Sequence, residues 1–180
     1  LNYNIEFEGE FQYEWRQGVK HDASKIMELS INSENKFVNG FNEVIDIEDT
    51  LVYPLLKSSD IKKYNLDYIF KKYVIITQNK VGQSTKYIEK ECPKLWNYLN
   101  TKRDIFNKRK SKIYKNSPPF SIFGIGDYSF SKYKVVISGF YKEPIFKMVK
   151  NQKEVMLDDT CYFLGFNKEE EAMIATIILN

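Results

Sequence analysis

What this sequence has little of narrows it first. Its 180 residues include two cysteines, Cys92 and Cys161, and one histidine, His21. A zinc site built from four Cys/His ligands is therefore excluded, and any histidine-dependent chemistry has to run through His21. Two lone thiols exclude a disulfide framework and point to a reducing compartment, the cytoplasm. No apolar run approaches the roughly 20 residues of a membrane-spanning helix, so no membrane partner is expected. The opening stretch, LNYNIEFEGEFQYEW, is acidic and alternating, unlike a signal peptide. It begins with Leu, not Met, and the last stretch, KEEEAMIATIILN, stops inside a helical pattern. Both ends lead us to expect a piece of a longer chain. Repeats and low-complexity tracts are absent.

What is present is a ring-rich globular composition: 43% hydrophobic and 16% aromatic, with 13 Tyr and 13 Phe. The length fits one large domain or two small ones. Net charge is only +3, but it is unevenly spread. Residues 1–56 hold 4 Lys/Arg against 11 Asp/Glu, residues 57–115 hold 16 against 5, and residues 116–180 hold 7 against 8. A basic middle third is what a polyanionic partner would need; a solvated lysine-rich surface accounts for it equally well.

Alternation predicts strands over 3–8 and 11–15, paired as a hairpin. Residues 15–30 turn through Gly18 and enter a short helix or a strand, and 31–50 read as loop with short strands. The run LVYPLL (51–56) contains Pro54, which argues against a central strand. YVIIT (73–77) reads as a buried strand, and STKYIEKE (84–91) as a helix opened by a serine cap. Residues 93–114 begin with Pro93 and place Leu95, Trp96, Leu99 and Phe106 near helical spacing. That predicts one long basic amphipathic helix, ended by Pro118-Pro119. Beyond it, FSIFGIG, KVVISGFY, IFKMV, EVMLDD and CYFLGF read as strands, and KEEEAMIATIIL as a helix with acids in its first turn. Strands, helices, strands and a helix in that order predict an α+β fold with a mixed or antiparallel sheet.

Within residues 117–126, SPPFSIFGIG, two pieces look like enzyme parts. Ser117-Pro118-Pro119-Phe120 resembles the Pro-Pro-aromatic catalytic loop of DNA amino-methyltransferases, and residues 123–126 resemble their glycine-rich methyl-donor turn. Only Ser121 and Ile122 separate them, and a few extended residues span at most about 14 Å. Two motifs delivered by different strands do not fit in that space. The glycine spacing is also wrong, and no strand precedes the Pro-Pro pair. As catalytic motifs both are read as coincidental.

Taken whole, the strings WRQGVKHDASKIMEL, VYPLLKSSDI, KRKSKIYKNSPPFSIFGIGDYSFSKYKVVISGFYK and VMLDDTCYFLGF resemble the C-terminal region of bacterial adenine-N6 DNA methyltransferases. These come from type II restriction–modification systems, fused restriction-and-modification polypeptides included. The resemblance covers nearly all of the chain. It implies a single target-recognition domain over residues 1–180, with double-stranded DNA and the upstream methyltransferase domain as partners. It implies no catalysis and no cofactor here, S-adenosylmethionine being bound by the parent enzyme's catalytic domain.

The candidate DNA-binding residues follow. Arg16, Lys20 and His21 flank Gly18, where a glycine turn permits close approach to phosphates or base edges; pairing of Arg16 with Glu14 or Asp22 is the plainer account. Lys57, Ser58 and Ser59 offer a cation and two hydroxyls, or a helix cap at Ser59 or Asp60. Arg109, Lys110, Lys112, Tyr114 and Lys115 form the strongest electrostatic group. Tyr128 and Lys134 lie in GDYSFSKYK, a mix suited to base reading, with core packing an even alternative for Tyr128. Asp158-Asp159 reads as a turn capped by Thr160. Two other functions stay open: a divalent-metal nuclease using Asp22, Glu34 and Lys36, and a domain docking an acidic protein partner.

Overall fold

The computed structural model describes residues 12–180, so the strand expected over 3–8 lies outside the described residues. In chain order the elements are β1 (Arg16–Gln17), α1 (Ser24–Met27), β2 (Glu28–Ile31), β3 (Phe37–Val38), β4 (Val44–Ile45), β5 (Val52–Leu56), α2 (Ser58–Ile61), β6 (Tyr73–Ile75), α3 (Tyr87–Glu91), α4 (Pro93–Thr101), α5 (Arg103–Asn107), β7 (Tyr133–Ser138), β8 (Lys147–Lys150), β9 (Met156–Leu157), β10 (Cys161–Phe166) and α6 (Glu169–Leu179). Short 3-10 turns occupy Lys112–Tyr114 and Asp127–Phe130. Residues 12–15 are irregular, and β1 pairs with β10. Residues 24–31 resolve the ambiguous stretch by being helix first and strand second.

The fold is α+β, built on two sheets. An antiparallel four-stranded sheet runs β1-β10-β7-β8, and a six-stranded sheet runs β4-β3-β2-β6-β5-β9, with only the β5–β9 pair parallel. The near-continuous apolar runs of β7 and β10 are what a sheet covered on both faces requires. Val136, Cys161 and Phe163 pack toward Leu56, Ile61 and Tyr64. Val135, Leu164 and Phe166 pack toward Ala172 of α6. The largest core joins Leu29, Leu55, Val74 and Ile75 of the six-stranded sheet to Ile88, Leu95, Leu99 and Phe106 of α3 to α5. None of these helices exceeds nine residues. At that length isolated helices are marginal in water, so packing of the apolar stripe holds them.

Three expectations are corrected. The long basic helix is broken at Lys102, whose φ of −108° and ψ of 9° leave the helical region. Between Leu99 and Phe106 no apolar side chain falls on the buried stripe, so that turn is held only by polar side chains, Lys102 on Glu43 and Arg103 over the Phe120 ring. Thr101 Oγ1 also donates to the Tyr98 carbonyl at 2.7 Å. Regular helix therefore ends at Asn107, well before Pro118-Pro119.

β5 is an interior strand in spite of Pro54. Leu55 N–H donates to the Lys72 carbonyl toward β6, so the Pro54 nitrogen points the other way. On that side β9 begins pairing only at Leu55 and Leu56, and no ladder bond is lost.

FSIFGIG is core loop, with a single bridge from Phe123 to Lys20. Phe120, Ser121 and Ile122 are buried, and side chains serve the loop's backbone. Thr85 Oγ1 donates to the Pro119 carbonyl and Thr77 Oγ1 to the Phe120 carbonyl, both at 2.7 Å. Gln78 Oε1 accepts from Ile122 N–H at 2.8 Å. The resemblance to a catalytic loop and donor turn thus lies on a segment whose backbone at 119–122 is held by neighbouring side chains, while Ser121 Oγ is buried with no hydrogen-bond partner among the described residues.

Candidate nucleic-acid interface

Four segments far apart in sequence meet at a cleft of about 700 Å³, lined by His21, Asp22, Glu28, Lys57, Lys108, Arg109, Lys110, Asp158, Asp159 and Thr160 among others. The β1 end brings in the first segment. Gly18 N–H donates to the Cys161 carbonyl and Val19 N–H to the Leu157 carbonyl, at 3.1 and 2.7 Å. A Cβ on Gly18 would collide with the backbone carbonyls of Leu157 and Asp158, so only glycine allows this approach.

α2 brings in Lys57. Lys57 itself is the N-cap, and Asp60 at the third helical position accepts its N–H at 3.0 Å. Neither Ser59 nor Asp60 starts the helix, which corrects the expected cap. Ser58 is fastened to the 158–160 turn: its N–H donates to Thr160 Oγ1 at 3.3 Å, and its hydroxyl donates to the Thr160 carbonyl at 2.9 Å. Thr160 closes the turn on Asp158 by its N–H at 3.2 Å and by its hydroxyl, as the paired-acid turn reading expects.

The floor of the cleft is an ion network in which two lysines, Lys57 and Lys20, serve four carboxylates. Glu28 Oε1 accepts from Lys57 Nζ at 2.7 Å and lies 3.5 Å from His21 Nε2. His21 Nδ1 accepts from Ala23 N–H at 3.1 Å, which places the neutral ring's proton on Nε2, facing Glu28. Burial pushes the Glu28 carboxyl up, but hydrogen bonds from His21 and Lys57 outweigh it and hold it at about 2. Lys57 is also 3.8 Å from Asp158. Lys20 bridges Asp22 at 2.8 Å and Asp159 at 3.1 Å, which raises its pKa.

Arg109 lines the cleft with its fork already committed. It donates to the carbonyls of Phe106 (3.1 Å), His21 (3.1 Å) and Ser121 (2.6 Å), and its guanidinium lies 3.6 Å from the Tyr114 ring centroid. The expected free fork for phosphate or guanine is instead a brace joining three segments, with Tyr114 as its platform. Lys108, Lys110, Lys112 and Lys115 are exposed, and none forms an ion pair with another described residue. Tyr114 and Lys115 line an adjoining cleft of about 290 Å³ that shares Arg109.

The remaining candidates are dispersed. Arg16 pairs with Glu14 and stacks 4.8 Å above the Tyr128 ring, while Tyr128 packs on Phe163. Ser59 lines a separate cavity with Ser58. Lys134 is corrected outright: it is 1% exposed, and its ammonium donates to the Ser131 carbonyl at 2.7 Å, out of reach of any phosphate. Glu34 and Lys36 pair with each other at 2.8 Å, whereas Asp22 pairs with Lys20, so the nuclease triple does not converge. Among the described residues no group of three or more His, Cys, Asp or Glu is placed to hold a metal ion. Sequence reasoning missed Glu28 and Lys108 as parts of this site. Glu28 meets Lys57 across 29 residues, and no local pattern carries such a pairing.

Fold and cleft together define an α+β unit that displays exposed lysines beside an acid-rich floor and gathers no group of metal ligands among its described residues. No family model matches the chain. It is 41% identical over 168 residues to the Type II methyltransferase M.NspV of Nostoc sp., a match taking in 92% of this chain and 35% of that protein. The chain thus spans about a third of the length of this curated relative, and nearly all of it is related to part of a type II methyltransferase.

Proposed function

We propose that this chain is the DNA target-recognition region of an adenine-N6 methyltransferase from a type II restriction–modification system, working in the cytoplasm. The observation that carries the reading is the row Lys108, Lys110, Lys112 and Lys115, exposed and in no ion pair with a described residue, of which Lys108 and Lys110 line the cleft and Lys112 and Lys115 follow on the same segment. Such a row is suited to phosphates, which fix register on a duplex without reading sequence. Lys20, His21, Lys57, Ser58, Arg109 and Tyr114 shape and stiffen the wall behind it, while Arg16, Ser59 and Tyr128 stay in the proposed contact set. The upstream methyltransferase domain is the proposed protein partner. It would hold S-adenosylmethionine and act on the adenine once flipped from the stack. The backbone groups of residues 119–122 are already bonded to Thr85, Thr77, Arg109 and Gln78, which supports placing that cofactor outside this loop.

Fluorescence anisotropy with a mixed-sequence DNA duplex at several salt concentrations tests this. Each phosphate neutralised contributes a log–log slope of about −0.9, so the four lysines together contribute a slope of about −4. Absence of binding at low salt, or binding indifferent to salt, would refute the reading.

A further inference from the structure

Phe140 and Tyr141 sit in the connection between β7 and β8 and are 78% and 55% exposed. Leaving two adjacent rings in water contributes nothing to folding. The connection is nevertheless pinned. Gly139 N–H donates to the Thr160 carbonyl at 2.7 Å, and Phe140 N–H to Ser138 Oγ at 3.1 Å. A Cβ at Gly139 would lie 2.8 Å from the Thr160 oxygen and 3.3 Å from the Tyr162 ring, so glycine is what permits this seat. Thr160 is the residue that Ser58 and Asp158 hold in the cleft wall. The backbone that carries the two rings is therefore anchored at Gly139 to the cleft wall.

The rings border a cavity of about 490 Å³ whose polar lining includes Ser58, Ser59, Lys62 and Lys142, with Glu143 the one acid. Lys62 and Lys142 are exposed and pair with no described residue. Exposed rings beside cations are the combination that takes a stacked nucleobase and its phosphates together. α2 joins the two places, with Lys57 on the cleft and Ser58 and Ser59 on this cavity.

We propose that Phe140 and Tyr141 form an aromatic wedge that stacks into an opened base step of duplex DNA, with Lys62 and Lys142 on the flanking phosphates. This rests on the DNA-recognition reading above, and the test separates the two. Phe140→Trp places a reporter at the wedge, read against the wild-type emission of Trp15 and Trp96. With a mixed-sequence duplex added, its emission should be quenched and shielded from acrylamide. Wild type should also bind a duplex carrying one abasic site more tightly than the intact duplex, because unstacking there costs less. Phe140→Ala should lose that preference and bind roughly tenfold more weakly. Phe140 lies at the surface, so this variant should keep the wild-type thermal midpoint. Salt-dependent binding in which the new Trp stays fully open to acrylamide would overturn the wedge and leave the recognition reading intact. No binding by wild type at low salt would overturn both.

Discussion

Lys134 lies under the turn Asp127–Phe130, with its ammonium bonded to the Ser131 carbonyl and 5.9 Å from the Phe163 ring centroid. Burial drives its pKa from 10.5 down to about 7, and the Glu154 charge offsets that only in part. Between those two values the unfolded chain holds a proton that the folded chain does not. Stability therefore rises as pH climbs from 7 toward 10.5, and the cost is fully present below 7. The shift amounts to about 4 kcal/mol at pH 7 and about 2 kcal/mol at pH 9. Lys134→Met keeps the apolar stem and removes the charge. It forfeits one hydrogen bond to Ser131, worth about 1 kcal/mol. The variant should therefore be about 3 kcal/mol more stable than wild type at pH 7, with the gap closing by about 2 kcal/mol at pH 9. Urea unfolding at pH 7, 8 and 9 with an unchanged m-value reads this directly. A variant less stable than wild type at pH 7, or a gap indifferent to pH, would refute the reasoning. DNA affinity should not change, because the ammonium is out of reach of a phosphate.

Glu28→Gln should cost about 3 kcal/mol at neutral pH. Glu28 is held at about 2 in the fold, so its contribution is whole above the unfolded value near 4.5 and is lost as pH falls toward 2. The variant's acid-unfolding curve should be correspondingly flatter there. Arg109→Lys should destabilise the fold by about 1–3 kcal/mol, since an ammonium cannot span three carbonyls and stack on Tyr114. Lys110→Ala should leave urea unfolding within about 0.5 kcal/mol of wild type, yet lower the salt slope of DNA binding by about 1. Burial pushes the Cys161 thiol up to about 12 and raises that of Cys92. Neither should react with Ellman's reagent at pH 8 until denaturant is added; prompt native labelling of either would contradict the structure.

The types of element were mostly legible, because β7, β10 and α6 carry their period in their own residues. Breaks and burials were not. Lys102 ends a helix where no apolar side chain of its turn reaches the core, and that depends on where the sheet lies. Lys134 shares strand parity with Val136, and the run Val135-Val136-Ile137 is covered on both faces, a sign that a lysine in the same strand would be covered too. The charge map misled in a more useful way. An acidic first third and a basic middle look like a chain awaiting a polyanion, yet part of that contrast is spent internally. Glu28 takes Lys57, Glu43 takes Lys102 and Asp46 takes Lys94, at 2.7, 2.7 and 2.8 Å. Glu48 accepts the N–H groups of Lys94 and Leu95 at the start of α4. Composition counts these cations equally with Lys108, Lys110, Lys112 and Lys115, but only uncompensated ones can release counterions from a duplex. Pairing between the first and middle thirds subtracts Lys57, Lys94 and Lys102. Lys62, Lys63, Lys71, Lys72, Lys80, Lys86 and Lys90 stay exposed and unpaired among the described residues as well, and what sets the segment after α5 apart is that Lys108 and Lys110 line the cleft. If the DNA-recognition reading is right, removing a paired cation such as Lys94 should leave the salt slope of binding unchanged, whereas removing one from 108–115 should not.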